Sequence, residues 1–177
     1  MSAMAPILGL HHYAYRCRDA DETRRFYEDL LGLPLVMTMK LDVVPSTGEF
    51  CPYVHIFFEM ADGACIGFFD LGDNTKPLPS PNTPAWVNHL ALKMQSVDDV
   101  LAARARLQAA GVEVLGITDH GFVQSIYFFD PNGIRLELTA ESATPEEMAG
   151  FKAEAHGLLA SWSKEKAGRL EEVASAR

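Results

Sequence analysis

Of the six histidines in this chain, two share a pattern with one glutamate that points to metal chemistry: His12, His89 and Glu137. Imidazole nitrogen and carboxylate oxygen together suit a divalent first-row metal. Two histidines and one carboxylate on one face, with open positions opposite, suit a redox metal such as Fe(II) or Mn(II). A closed four-ligand set would read instead as structural or Lewis-acid zinc. The open positions would take a chelating substrate, water or O2. A lone strand histidine beside an apolar run is ordinarily a surface or hydrogen-bonded core residue. These three weigh differently because they fall at related points of a repeat.

The elements that must position them alternate in a regular order. Ile7 to Arg16 reads as a strand and Asp19 to Leu31 as a helix, with Phe26, Leu30 and Leu31 on one face, Asp19 as N-cap and Gly32 as stop. Leu33 to Met39, Tyr53 to Met60 and Ala64 to Leu71 read as strands, the last two joined by a turn at Asp62-Gly63. Gly72 to Pro84 holds four prolines and reads as a linker. The order then returns. Trp86 to Met94 is a strand and Val97 to Ala110 a helix stopped by Gly111. Val112 to Ile117, Phe122 to Phe129 and Ile134 to Thr139 are strands, the last two around Asp130-Pro131-Asn132-Gly133.

The fold expected is therefore α+β: two paired βαβββ modules, residues 7–72 and 85–140, forming a curved mixed sheet around a cleft within one domain of residues 1–143. The modules superpose by offset. His12 and His89 are 77 residues apart, Gly32 and Gly111 79, and Gly67 and Glu137 70, the drop reflecting an extra loop around Asp42 to Phe50. A pseudo-two-fold axis would gather His12, His89 and Glu137 around one point and leave the fourth position empty, because Gly67 has no side chain. Residues 144–177 read as a helical tail started by Thr144 and Pro145. Met148, Phe151, Leu158, Leu159 and Trp162 are its apolar residues, to pack on the domain or on a second subunit.

Composition narrows the partners. A net charge of −9 argues against nucleic acid or an anionic membrane surface as partner. Cys17, Cys51 and Cys65 are odd in number and match no zinc spacing, so they are expected as reduced thiols of a cytoplasmic protein. Met1 to Leu10 carries no basic start and only a short apolar run, neither a signal peptide nor a membrane span.

Four segments carry a family resemblance. They are His11-His12-Tyr13-Ala14-Tyr15-Arg16-Cys17-Arg18-Asp19, Phe26-Tyr27-Glu28-Asp29-Leu30-Leu31-Gly32-Leu33, Asn88-His89-Leu90-Ala91-Leu92, and Asp130-Pro131-Asn132-Gly133-Ile134-Arg135-Leu136-Glu137. Together they resemble the vicinal oxygen chelate superfamily over residues 7 to 140. That group includes glyoxalase I, extradiol dioxygenases, fosfomycin-resistance thioltransferases, methylmalonyl-CoA epimerase and metal-free bleomycin-binding proteins. The resemblance puts His12, His89 and Glu137 on the family's ligand positions, with His11 as the neighbour pointing away.

Within the family, glyoxalase I and the epimerase use a fourth protein ligand where this chain has Gly67. The extradiol dioxygenases use two histidines and one glutamate with Fe(II), and carry a tyrosine where Tyr127 stands. A histidine from the loop before that strand lines their site, and His120 lies close to that place. They also have a histidine shortly before the second ligand, and between Met60 and Asn88 this chain has none. The resemblance thus implies an Fe(II)-dependent extradiol-type dioxygenase acting on a small aromatic, catecholic compound. His120 would serve as acid–base and Tyr127 as hydrogen-bond donor, and a homodimer is expected. Two alternatives stand beside it. One is a lyase, isomerase or thioltransferase using Mn(II), Ni(II) or Zn(II) without O2. The other is a metal-free binding or resistance protein. His120 between Asp119 and Gly121 also reads as a plain turn residue, and Tyr127 as a strand aromatic.

Overall fold

The computed structural model describes residues 8–175 apart from Pro79 and Pro81. In the last helix it describes the backbone alone at 159, 163–167, 169, 170 and 172–175. The reading of Met1 to Leu10 as no leader lies almost wholly outside these residues, as do the first residue of the expected strand, Ile7, and the side chain of Leu159.

The first module runs β1 (His12–Cys17), α1 (Ala20–Arg24) with a π-helical continuation (Arg25–Leu30), β2 (Leu35–Val43), β3 (Phe50–Glu59) and β4 (Cys65–Asp70). The second runs β5 (Leu90–Lys93), α2 (Val97–Ala109), β6 (Leu115–Asp119), β7 (Val123–Phe129) and β8 (Arg135–Glu141), and α3 (Pro145–Ser175) follows. Each module builds its own four-stranded mixed sheet. The orders are β1-β4-β3-β2 and β5-β8-β7-β6, with β1–β4 and β5–β8 parallel and the other pairs antiparallel. The βαβββ repeat expected from the spacing is thus present twice. Within one chain the two sheets remain separate rather than running into one curved sheet.

Local chemistry explains the ends of the elements. Asp19 caps α1 by accepting from Glu22 N, and Ser96 caps α2 by accepting from Asp99 N. Thr144 and Glu147 satisfy each other's backbone N–H groups at the start of α3. β5 is shorter than the sequence suggests. Val87 N–H closes a turn onto Pro84 C=O, so the strand begins only at Leu90 and His89 stands at its entrance. β6 starts at Leu115, later than expected, because Val112 N–H still bonds Leu107 C=O at the end of α2.

The modules share one core. Tyr27, fully buried on the π-helical turn, lies 5.2 Å from the Phe58 ring and 4.9 Å from the Phe68 ring, and Phe26 reaches Phe128 of the other sheet at 6.3 Å. Burying a large aromatic side chain is worth roughly 1.5–3 kcal/mol, and this cluster welds α1 to both sheets. The β7–β8 turn adds polar clasps across the join. Tyr27 Oη donates to Asp130 Oδ2 (3.1 Å), Asn132 Nδ2 donates to Thr23 Oγ1 (3.1 Å), and Arg18 N donates to Asn132 Oδ1 (3.0 Å). From α2, Arg106 donates to the carbonyls of Leu30 and Asp29.

The tail touches the domain near its start. Phe151 meets the Phe122 ring at 6.1 Å, while Met148, Leu158 and Trp162 are exposed. No described helix is long and apolar enough to cross a membrane. All three cysteines are free thiols, and burial pushes Cys17 up to about 11.

Candidate metal centre

Strand alternation decides which way the site residues face. On β4 and β3, Ile66, Phe68, Ile56 and Phe58 enter the core, so Gly67, His55 and Phe57 lie on the opposite face, with His12 and Ala14 of β1 beside them. On β8 and β7, Leu136, Leu138, Ile126 and Phe128 enter the core, and Glu137, Ser125 and Tyr127 lie on the opposite face. Both faces that carry candidate ligands are therefore turned away from the core the modules share.

The second module assembles four of the five residues singled out from the sequence. His89 Nε2 stands 3.0 Å from Glu137 Oε2. Its Nδ1 lies 2.9 Å from Val87 O, and since a carbonyl can only accept, Nδ1 carries the hydrogen and Nε2 the lone pair of the neutral ring. Glu137, 5% exposed, has its other oxygen bonded by Ser125 Oγ at 2.5 Å. A lone pair and a carboxylate oxygen facing each other at contact distance call for a cation between them, a proton or a metal. Each donor is also oriented from behind, as metal ligands usually are. These residues fit a divalent metal.

Beside them, His120 Nε2 and Tyr127 Oη are 2.6 Å apart. Tyr127 is the cross-strand partner of Glu137, meets the His89 ring edge-on at 6.0 Å, and carries the Arg135 guanidinium 4.0 Å over its ring. Burial, then the Glu137 charge, pushes the Tyr127 phenol up, so its O–H stays intact. His120 sits in the β6–β7 turn, its N–H held by Val123 O. A hollow of about 600 Å³ opens next to Tyr127, walled in part by Leu115, Phe129 and Arg135.

His12 is not part of this group. Among the described residues no three histidine, cysteine or carboxylate side chains gather closely enough to hold an ion. His12 keeps the company of His11, whose Nδ1 is 2.7 Å from its own, and of His55 and Phe57, whose ring centres lie 6.3 and 5.5 Å away.

Two residues on the candidate ligand faces were missed by sequence reasoning. Ser125 orients Glu137. His55, 7% exposed, lies over Gly67, where burial pulls its imidazole below the usual value. Both were findable, because the 70-residue offset that pairs Gly67 with Glu137 also pairs His55 with Ser125.

A probable chloroplastic lactoylglutathione lyase of Arabidopsis thaliana is 26% identical over 144 residues, 77% of this chain and 37% of its own. A biphenyl-2,3-diol 1,2-dioxygenase 2 of Rhodococcus globerulus is 28% identical over 106 residues, 55% of each chain. The chain thus spans between about a third and just over half of these relatives. The crystal structure of a glyoxylase/bleomycin resistance protein/dioxygenase domain from Frankia sp. EAN1pec shares the fold, with a TM-score of 0.64 at 20% identity, over 77% of this chain and 100% of that one. Residues 9–138 match the model of the glyoxalase/bleomycin resistance protein/dioxygenase superfamily, and the chain belongs to that superfamily.

Proposed function

We propose that the chain is an Fe(II)-dependent dioxygenase of the extradiol type acting on a small catecholic compound, and that it works as a homodimer. The observation that carries this reading is the 3.0 Å approach of His89 Nε2 to Glu137 Oε2, with the His120–Tyr127 pair alongside. Similarity to a dioxygenase of an aromatic diol supports the substrate class.

His89 and Glu137 would hold the metal with His12 of a second copy. A divalent iron, when bound, supplies Lewis acidity toward substrate oxygens and an electron source for O2. Ser125 fixes the Glu137 carboxylate through one oxygen and leaves the other free to ligate. Tyr127, the cross-strand partner of Glu137, keeps its proton and would donate it to a substrate oxygen. His120, paired with Tyr127 at 2.6 Å, is the group through which a substrate hydroxyl proton can leave.

The dimer follows from the two outward faces. A two-fold axis would lay the first-module face of one copy over the second-module face of the other and complete two equal sites. The surface supports it. Met37 and Met39 on the first face and Leu115 and Phe129 on the second are among the exposed apolar residues. A standard interface covers only about 800 Å² per partner.

The test is metal analysis of anaerobically purified protein, then oxygen uptake with a panel of catechols. The expected result is one iron per chain and oxygen consumption that depends on one of the catechols. His120→Ala and Tyr127→Phe should each lower kcat by roughly 10²–10⁴ with the iron retained. Iron-loaded protein that consumes no oxygen with any catechol would overturn the reading. Similarity to the lactoylglutathione lyase supports a second one, a lyase or isomerase, which turnover with Zn(II) or Ni(II) alone would favour.

A further inference from the structure

Gly67 and Glu137 occupy the same place in the two modules, and so do the residues that flank them. In the first module Phe57 pairs with Gly67 and His55 with Phe69, and in the second Tyr127 pairs with Glu137 and Ser125 with Thr139. The pair Ser125 and Glu137 therefore corresponds to the pair His55 and Gly67. In the second module the small Ser125 leaves room for the carboxylate and bonds it. In the first the arrangement is inverted, with the glycine leaving room for a ring. A Cβ on Gly67 would lie 2.8 Å from His55 Cε1, so no side chain fits there while the imidazole stays where it is.

That ring is fixed on every side but one. Its Nδ1 donates to Phe68 O at 3.0 Å, it stacks on Phe69 at 3.7 Å and 13°, and Phe57 lies 4.0 Å away. The backbone bond fixes the tautomer and leaves the lone pair on Nε2. Among the described residues Nε2 has no hydrogen-bond partner. It stands 3.5 Å from the Cβ position of residue 67, about the 3–3.6 Å that standard bond lengths give a glutamate oxygen from its own Cβ. His89 shows the same build, with Nδ1 on a backbone carbonyl and Nε2 aimed outward. Phenylalanine would fill this space as well, so the outward-facing Nε2 is what an imidazole adds here.

We propose that His55 Nε2 is a fourth protein donor to the metal, reaching over Gly67 to take the position that a carboxylate at residue 67 would hold. This rests on the reading that His12, His89 and Glu137 bind a divalent metal. The set would become three neutral nitrogens and one carboxylate, held by His12, His55, His89 and Glu137. The closed fourth corner also binds the metal more firmly to the first module, where His12 would otherwise be its sole ligand.

The test is a Co(II) titration of the metal-free, full-length protein, followed by visible absorption and by competition with a chelator. His55→Phe keeps the stacked ring and removes the nitrogen. It should weaken Co(II) binding about tenfold or more and shift the visible bands, with the melting temperature of the metal-free protein held near the wild-type value. His55→Ser combined with Gly67→Glu rebuilds the first module on the pattern of the second and should regain affinity with a different spectrum. A His55→Phe protein with wild-type affinity and spectrum would overturn the fourth donor and leave the three-ligand centre standing. Wild-type protein that binds no Co(II) would overturn both.

Discussion

The two oxygens of Glu137 do different work. Oε1 accepts from Ser125, buried between the strands, and Oε2 faces His89. A carboxylate held by one oxygen loses less freedom when the other binds an ion. Ser125→Ala should therefore weaken divalent metal binding by about 10- to 100-fold while leaving His89 and Glu137 in place, read by chelator competition on the metal-free protein. Of the residues proposed for this centre, His12, His89 and Glu137 stood out in the sequence by type and repeat position, and His120 and Tyr127 through the family resemblance. Ser125 and His55 did not. Their meaning depends on which residue of the neighbouring strand each one leans toward, and that register is set by strand pairing rather than by local pattern. Gly67 reads as a vacancy in the sequence, and in the fold the vacancy is filled from the next strand.

Among the elements, the β7–β8 turn does more than reverse the chain. Asp130-Pro131-Asn132-Gly133 is legible as a turn from its residues alone. That its side chains reach back more than 100 positions to Thr23, Tyr27 and Arg18 is a tertiary fact with no local signal. Asn132 holds two of these bonds while 3% exposed. Asn132→Ala should cost about 1–3 kcal/mol, measured by urea unfolding, because it strands the Arg18 N–H. Asp130 adds a pH term. Burial pushes its carboxyl up despite the hydrogen bonds it accepts from Ile134, Asn132 and Tyr27. A carboxyl raised in the folded state contributes stability below its unfolded value, about pH 4, and loses it as pH rises through the folded value. The stability of the wild type relative to Asp130→Asn should thus fall from about pH 4 upward and then level. A difference that rises over that range would mean the hydrogen bonds outweigh burial. The element types were otherwise readable throughout, and their ends shifted where turns closed by backbone bonds, as at Val87 and Val112, cut the strands short.

For the whole molecule, the sequence conveys the repeat but not how its halves face. Periodicity shows which residues share a side of a strand, and it leaves open whether two modules meet through their ligand faces or through their helices. Here they meet through Phe26, Tyr27 and Phe128, so the candidate ligand faces are turned outward and a single chain brings together His89 and Glu137 without His12. The central claim is that two copies complete the site between them, and subunit mixing tests it directly. His12→Ala alone and Glu137→Ala alone should each bind little metal. Co-refolded in equal amounts, half of the dimers should be mixed, each with one intact site, which restores about a quarter of the wild-type metal content. Restored binding at that level is the predicted result. Mixed protein that binds no more metal than either variant alone would contradict the account.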